Sequence, residues 1–556
     1  MASTPITTPG PYATVFSPQA EQTTPKPRRR MKIVIVVVAL CGAILISIGA
    51  VVYTFQTKVN NHSNEILSNI QHTPGLRFTV TAKRQGLTFN GKSSAQIYVI
   101  PKTQDQFEFD AFLAQEGPEV TEQYLIKDGR AYWSVWKEDN FVQGGCLSEE
   151  QIPPFELMES SLTSANVVDY VNGTSITASD CPNGKLLYLK FAGESYVFCN
   201  SNQNKLTHAS SSDLDITVEY LTEPSFLPAM DIPGNLTCDV VVPASIPSPK
   251  ATLMQTSNEI YSAWTTSRTA TLRKSSCACK STPKPCLFVH GVGQATNGPL
   301  LNTFKDSWGE IHDHAPCCSS IKFAQFETTK RGWANDELQQ QFCSAALQVS
   351  GSNSKEFSNM ILVTYSMGNL IASAAAATNK CTFGNDVTWV SIAGPMQGSK
   401  TANLLQEKCI AGGWGAGLKS ILSTVGFCPV TDAYLSLKHQ TTVDGTMKAK
   451  FQAAQAIRSK YVSHLMCGTS SNGLVSFSAA GLVAVGKMSN HDDPMYDGVV
   501  DLSSCTVGVD RSRMGTDADS SYHYEASINH LDASFRHGDG WWGSNRKPIK
   551  WFECAL

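Results

Sequence analysis

The segment NMILVTYSMGNLIASAAAATNK, residues 359–380, carries the strongest structural signal in the chain. An apolar run typical of a strand leads into Ser366, and an alanine-rich run typical of a helix follows it. A serine on a sharp strand-to-helix turn fits the pattern G-x-S-x-G, in which the serine is a nucleophile. Thr364 stands in place of the first glycine, whereas Gly368 keeps the second. Ser366 is therefore either a nucleophile or a helix N-cap.

Strand and helix patterns alternate around this segment. Strands are predicted at CLFVH, IKFAQFET, MILVTY and VTWVSIAG, and helices at NTFKDSWGEIHDH, NDELQQQFCSAALQV and GNLIASAAAATNK. The alternation predicts an α/β domain with a mainly parallel sheet and helices on both faces. Functional groups collect at the carboxyl ends of such strands, and Ser366 and the run from His290 to Gly293 both follow strands.

Four short segments occur in one order along residues 285–540. They are LFVHGVG, TYSMG, IAGPMQGS, and the stretch from DGVV to SSYHYEASINHLD. In this order they resemble the α/β-hydrolase family and, within it, the true lipases, although Met396 stands where the third segment of the family has histidine. The resemblance implies a serine esterase in an α/β-hydrolase domain spanning 285–556, without a cofactor or a metal in catalysis.

The general base is expected among the histidines after Ser366. A serine hydroxyl needs an imidazole to take its proton and a carboxylate to orient that imidazole. The resemblance favours His530, in INHLD, with His537 in FRHGDG as the main rival and His523 third.

The acid should lie between the serine and the histidine, because the family order is Ser, Asp or Glu, His. Asp497 in YDGVV is favoured and follows GLVAVG, which resembles a strand. Asp492, Asp493 and Asp501 are close enough to compete.

Three further features follow from the resemblance. The backbone N–H groups of Val292 and Met367 are the expected oxyanion-hole donors. An apolar insertion at about 400–440, with its centre at 411–427 between Cys409 and Cys428, lies where this fold places its lid. Asp532 corresponds to a calcium ligand in some bacterial lipases, but no second carboxylate is identifiable, so calcium stays open.

The N-terminal region predicts a membrane anchor. Residues 33–55 are 23 residues without a charge, and Lys26, Arg28, Arg29, Arg30 and Lys32 precede them. This length spans a bilayer as a helix, and the positive flank places residues 1–32, a disordered tail, in the cytoplasm. We expect a single-pass type II membrane protein with its C-terminal domains outside the cytoplasm.

Cysteines and glycosylation signals agree with that topology. Of 17 cysteines, 16 follow residue 55, an even number that suits up to eight disulfides in an oxidising compartment. The three N-glycosylation sequons, at Asn61, Asn172 and Asn235, lie on the same side.

The remaining chain divides by composition. Residues 59–74 read as a stalk, 75–240 as a β-rich domain of antiparallel strands with alternating apolar residues, and 241–284 as a linker rich in Pro, Ser and Lys at its ends. The net charge of −3 gives no reason to expect nucleic acid as a partner.

The expected function is hydrolysis of carboxylic esters, with lipid acyl esters as the substrate class. The alternative is a catalytically inactive hydrolase-like ectodomain that acts as a binding or adhesion module. Amidase or thioesterase activity on the same fold stays open. The sequence does not indicate the particular ester, the destination membrane or the oligomeric state.

Overall fold

A computed structural model describes residues 64–556, apart from 88–91, 103–107, 117–119, 155–156, 174–175, 177–179, 242–268, 274–275, 412–429 and 475–478. Residues 62–556 form one compact unit that contains two large sheets. The tail at 1–32 and the membrane segment at 33–55 lie outside the described residues. Among the helices that are described, none has the length and apolar character needed to cross a bilayer.

The first sheet has 11 strands, and every neighbouring pair is antiparallel. Its strands are β1 (Gly75–Ala82), β2 (Ser94–Pro101), β3 (Phe109–Glu116), β4 (Thr121–Lys127), β5 (Arg130–Lys137), β6 (Asn140–Cys146), β7 (Asn166–Val168), β9 (Lys185–Phe191), β10 (Glu194–Asn200), β11 (Leu206–Ser211) and β12 (Leu214–Leu221). They lie in the order β6-β5-β4-β3-β2-β1-β12-β11-β10-β9-β7. The antiparallel β-rich region predicted from sequence is confirmed.

Residues 64–71 are helical and pack on this sheet. Ile66, Leu67 and Ile70 are buried in the same apolar cluster as Leu76 of β1. The prediction of a stalk at 59–74 is therefore wrong for residues 64–71. These residues form a helix whose apolar side chains, at helical spacing, are buried against the sheet. Within the predicted linker, β13 (Thr269–Thr271) pairs with β8 (Tyr170–Asn172).

The second sheet has seven strands, all parallel to their neighbours. Its strands are β14 (Lys284–Val289), β15 (Cys318–Phe323), β17 (Ile361–Tyr365), β19 (Thr388–Ile392), β20 (Val462–Gly468), β21 (Met514–Gly515) and β22 (His523–Ala526). They lie in the order β15-β14-β17-β19-β20-β22-β21. Two further strands, β16 (Glu356–Phe357) and β18 (Thr382–Phe383), form a separate parallel pair.

Both faces of the parallel sheet are covered. Leu287 and Val289 of β14 belong to one apolar cluster, whereas Cys286 and Phe288 belong to the other. Alternate residues of a strand point to opposite faces, so this division shows that helices bury the sheet on both sides. The described helices are α1 (64–71), α2 (Leu157–Thr163), α3 (Lys305–Trp308), α4 (Asp336–Ser350), α5 (Met367–Ala377), α6 (Lys400–Ala411), α7 (Asp432–Ser436), α8 (Gly445–Tyr461), α9 (Ala479–Met488), α10 (Leu502–Cys505) and α11 (Pro548–Ala555).

Two local predictions differ from the structure. The apolar run GLVAVG, which resembles a strand, lies in α9, where Leu482 and Val485 are buried three residues apart on one helix face. Short apolar runs fit a strand or a buried helix equally well, so periodicity could not separate them. The predicted helix over NTFKDSWGEIHDH stops at Gly309, whose φ of +57° ends α3.

Seven disulfides join described residues. They are Cys146–Cys238, Cys181–Cys199, Cys277–Cys554, Cys279–Cys317, Cys286–Cys318, Cys343–Cys381 and Cys467–Cys505. The first two lie within the antiparallel part, and the other five within the parallel part. The prediction of a disulfide-rich chain is confirmed.

Buried ion pairs join the two parts. Arg84, in the loop after β1, pairs with Asp539 and Glu553 of the C-terminal region, and all three side chains are buried. Asp213, between β11 and β12, accepts hydrogen bonds from Lys547 and Lys550. Burial of one partner's charge without the other would cost several kcal/mol, roughly 3–5, so these pairs tie the antiparallel sheet to the parallel one.

Candidate active site

Ser366 lies on the sharp turn between β17 and α5. Its backbone has φ of +52° and ψ of −125°, a conformation that costs a non-glycine residue about 1–3 kcal/mol. The side chain makes no capping hydrogen bond to α5. A serine acting as an N-cap would accept a hydrogen bond from that first turn, so the N-cap interpretation does not describe this residue.

The Ser366 hydroxyl faces His530 instead. His530 Nε2 lies 2.9 Å from Ser366 Oγ, and His530 Nδ1 lies 2.7 Å from Asp497 Oδ2. Since the carboxylate accepts at Nδ1, that nitrogen carries the proton and Nε2 is left to accept from the serine hydroxyl. All three side chains are buried. The structure thus brings together the serine, acid and histidine that the sequence singled out.

Asp497 and His530 are held by the backbone around them. Asp497 Oδ1 accepts from the N–H groups of Val499 at 3.0 Å and Val500 at 2.7 Å, which leaves Oδ2 for the imidazole. The His530 N–H donates to the Asp497 carbonyl at 2.9 Å. A Cβ at Gly468, which ends β20, would lie 2.7 Å from the Asp497 Cβ, so the absence of a side chain there makes room for the acid.

The rival histidines lie elsewhere. His537 Nδ1 contacts Asp532 Oδ1 at 2.7 Å. His523 is buried, and neither of its ring nitrogens has a hydrogen-bond partner in the described structure. Burial lowers the pKa of His523 to about 4, with a smaller contribution from Arg513.

The rival carboxylates have other partners. Asp492 pairs with Lys400 at 3.0 Å, and Asp501 pairs with His491 at 3.2 Å. The two carboxylate oxygens of Asp493 accept from the backbone N–H groups of Met495 and of Ser503 in α10. Of the four candidates, Asp497 is the one hydrogen-bonded to His530.

The expected oxyanion donors flank the serine. Val292 lines the cavity beside Ser366, and Met367 is the first residue of α5. Within the described residues, the backbone N–H groups of Val292 and Met367 form no hydrogen bond. A Cβ at Gly291 would lie 2.7 Å from the Ser366 Cβ, so only glycine lets this loop approach the serine so closely.

His290 fixes the loop that carries Val292. Its Nε2 accepts from the N–H of Phe326 at 3.1 Å, so Nδ1 carries the proton and donates to the Gly291 carbonyl at 2.8 Å. Burial lowers the pKa of His290 to about 4. His290 is therefore neutral at neutral pH. Its two hydrogen bonds hold the conformation of the loop.

The threonine in place of glycine has a structural explanation. The Thr364 hydroxyl donates to Asn369 Oδ1 at 2.6 Å and accepts from Trp389 Nε1 at 2.8 Å. Asn369 Nδ2 in turn donates to the carbonyls of Ser366 at 3.0 Å and Ile392 at 2.9 Å. This buried hydrogen-bond network stabilises the turn that carries Ser366. Sequence reasoning missed Asn369, although a lone amide inside an apolar helix is a usable signal.

Asp532 organises the loop of the histidine. Its Oδ2 accepts from the N–H groups of Leu474 at 2.7 Å and Asn529 at 3.0 Å, while Oδ1 faces His537. The side-chain partner of Asp532 in the described structure is thus the imidazole of His537.

A cavity of about 220 Å³ opens over Ser366. Its apolar walls include Leu405 of α6, Tyr434 of α7 and Leu482 of α9, and Arg536 also lines it. Residues 412–427 of the predicted lid centre lie outside the described residues, but the helices that flank them supply part of the wall. The site therefore combines the Ser366 hydroxyl, hydrogen-bonded to His530, with a largely apolar cavity.

Comparisons with known proteins give limited information. No protein-family model and no curated protein matches the chain. The chain is similar to LprF from Mycobacterium bovis at 10% identity and a TM-score of 0.21, covering 32% of this chain and 97% of that one. It is similar to Staphylococcus hyicus lipase at 12% identity and a TM-score of 0.27, covering 47% and 92%.

A third likeness is to a post-proline cleaving enzyme from Rickettsia typhi, at 9% identity and a TM-score of 0.19, covering 87% of this chain and 60% of that one. These TM-scores are too low to establish a family or a function. The geometry around Ser366 is what any functional conclusion rests on.

Proposed function

We propose that this chain is a serine hydrolase of the α/β-hydrolase type that cleaves carboxylic esters. The observation that carries the proposal is the hydrogen-bonded line Asp497–His530–Ser366, with Ser366 in a strained backbone conformation at the end of a parallel strand. A buried serine with an imidazole and a carboxylate in line is the arrangement needed for acyl transfer.

In the proposed reaction, the Ser366 oxygen attacks the ester carbonyl while His530 Nε2 takes the hydroxyl proton. Asp497 stabilises the imidazolium that forms. The N–H groups of Val292 and Met367 are the proposed donors to the oxyanion, and each such donor typically contributes about 3 kcal/mol to transition-state stabilisation. His530 then protonates the leaving alkoxide, so the alcohol departs and an acyl-serine remains. Water, activated by the same imidazole, releases the acid and restores the serine.

Lipid acyl esters are the proposed substrate class. The wall of the cavity over Ser366 is largely apolar, with Leu405, Leu437, Leu482, Val499 and Val500 among its residues. Apolar walls with a few converging polar groups suit an acyl chain attached to a reacting carbonyl.

A fluorophosphonate probe tests the reaction class. The activated Ser366 oxygen should form a bond to phosphorus as fluoride leaves, so the full-length wild-type chain should label and Ser366→Ala should not. Ser373→Ala is the matched control, because Ser373 is buried in α5, the helix that follows Ser366, and does not line the cavity. Equal labelling of Ser366→Ala, or a wild type that neither labels nor hydrolyses p-nitrophenyl esters of any chain length, contradicts the proposal and favours the binding module.

We also propose that residues 33–55 anchor the chain with residues after Lys58 outside the cytoplasm. Seven disulfides and the exposure of the sequon residues Asn172 and Asn235 support this topology. Removal of N-glycans with peptide N-glycosidase F should increase the gel mobility of the native chain but not of a variant lacking the sequons. An unchanged mobility of the native chain would argue against the proposed topology.

A further inference from the structure

A second cavity, of about 210 Å³, lies on one face of the antiparallel sheet. Leu76, Phe78 and Val80 of β1 line it at every second residue. Val99 and Ile97 of β2 lie directly opposite Leu76 and Phe78 in the strand register and line it too. Directly opposed residues of paired strands share a face, so these side chains form a continuous apolar wall.

The described lining of this cavity carries no charged side chain. Its polar atoms are few, and several of them have partners in the protein. The Tyr196 hydroxyl donates to Glu194 at 3.2 Å, the Tyr220 hydroxyl accepts from the Leu206 N–H at 3.2 Å, and Gln151 Oε1 accepts from the Ser148 N–H at 2.9 Å. The lining that an occupant would contact is therefore almost entirely hydrocarbon.

The size of the cavity argues for an occupant. Protein interiors are close-packed, and an empty apolar cavity is destabilising because its lining lacks contact atoms. An engineered apolar cavity of about 150 Å³ stays dry and binds benzene, and this cavity is larger at about 210 Å³. Water would find too few polar partners here to fill it.

The wall is long enough for a segment of an aliphatic chain. The wall extends along β1 from Leu76 to Val80, a rise of roughly 13 Å at the usual 3.3 Å per strand residue. Without a buried charge or an unpartnered hydroxyl to hold a head group, an occupant would keep its polar end outside.

We propose that this cavity binds a single aliphatic chain of a fatty acid or a lipid. The site is separate from the cavity over Ser366, because no described residue lines both. Trp541 and Trp542, which follow the loop of His530 along the chain, close part of its wall. The C-terminal region thus contributes to both cavities, and the proposal holds whether or not Ser366 is reactive.

Binding of the fluorescent fatty acid cis-parinaric acid tests the site. The full-length Ser366→Ala chain serves as the parent, so that no turnover interferes. Adding Ile97→Trp fills the cavity and should weaken binding at least tenfold, with Ala111→Trp as a second filling variant. Gln96→Trp is the matched control, since Gln96 neighbours Ile97 but is exposed and does not line the cavity, and it should change the Kd less than twofold.

Unchanged binding in both filling variants, no binding by the parent, or displacement of the probe by a sterol but not by a fatty acid would overturn the proposal. If the filling variants lose the cooperative unfolding of the parent, photo-crosslinking of the wild-type chain decides instead. A diazirine fatty acid should label peptides of β1, β2 or β12. Labelling confined to peptides around Ser366 or to residues 33–55 would overturn the proposal.

Discussion

The two cavities of this protein are nearly equal in volume, at about 220 and 210 Å³, but their linings differ. The cavity of the parallel sheet contains Ser366, His530 and His290 beside its apolar wall. The described wall of the other contains no histidine and no charged side chain. Cavities of nearly equal volume therefore differ in that one contains serines and two histidines among its lining residues and the described lining of the other contains neither residue type.

Strand direction explains much of this difference. The parallel strands β14 and β17 both end at the edge where His290 and Ser366 follow them, so residues distant in sequence meet there. The antiparallel sheet instead gathers the apolar residues of each strand on one face. The first arrangement assembles polar groups from several loops, and the second builds a uniform apolar wall.

The largest expected effect separates His530 from His537. His530→Gln should lower kcat for a p-nitrophenyl ester by about 10⁴-fold or more, because the serine loses its proton acceptor. His537→Gln should lower kcat by about tenfold or less, because the hydrogen bond of His537 in the described structure is to the supporting Asp532 and not to Ser366. Parinaric acid binding should be unchanged in both variants, since neither residue lines the sheet cavity. A loss as large in His537→Gln as in His530→Gln would show that the base is misassigned.

The next effect tests whether the two cavities share one cooperative structure. Asp539→Asn leaves the buried Arg84 with one carboxylate fewer, and we expect unfolding free energy to fall by about 3 kcal/mol. Urea titration of the disulfide-intact chain should show ester hydrolysis and parinaric acid binding lost together, at a lower urea concentration than in wild type. The control is Glu219→Gln, which breaks the exposed Arg77–Glu219 pair and should cost less than about 1 kcal/mol. If Asp539→Asn lost ester hydrolysis without losing parinaric acid binding, or the reverse, the two sheets would unfold separately.

The smallest expected effect is a pH dependence of the unfolding free energy, caused by the buried ion pairs of Asp213 between the two sheets. Burial raises the pKa of Asp213, but Lys547, Lys550 and Arg84 together outweigh it and lower the pKa from 3.8 to about 2. A depressed carboxyl pKa stabilises the fold above the unfolded value and loses that contribution as pH falls from about 4 to about 2, here about 2 kcal/mol. The stability difference between wild type and Asp213→Asn should shrink by that amount across this window. A difference that stays constant from pH 5 to pH 2, measured by urea unfolding, would contradict the assignment.

Much of the site could be read from local sequence. The strand, serine and helix of residues 359–380 predicted the turn, and the resemblance of YDGVV and INHLD to lipase segments ranked Asp497 and His530 first. The run GLVAVG was misread because a short apolar run has no period that separates a strand from a buried helix. The role of Thr364 was also hidden, since its acceptance of the Trp389 N–H depends on the neighbouring strand.

The sequence by itself determined the periodic elements, the two classes of sheet and a short set of candidate groups, because local patterns record which residues are buried and at what spacing. Only the tertiary structure decided which histidine meets Ser366, that His537 serves Asp532, and that Arg84 pairs with Asp539 across 455 residues. It also decided that two tryptophans of the C-terminal region close an apolar cavity in the other sheet. Such pairings depend on distances through space between residues far apart in the chain, and local periodicity carries no record of those distances.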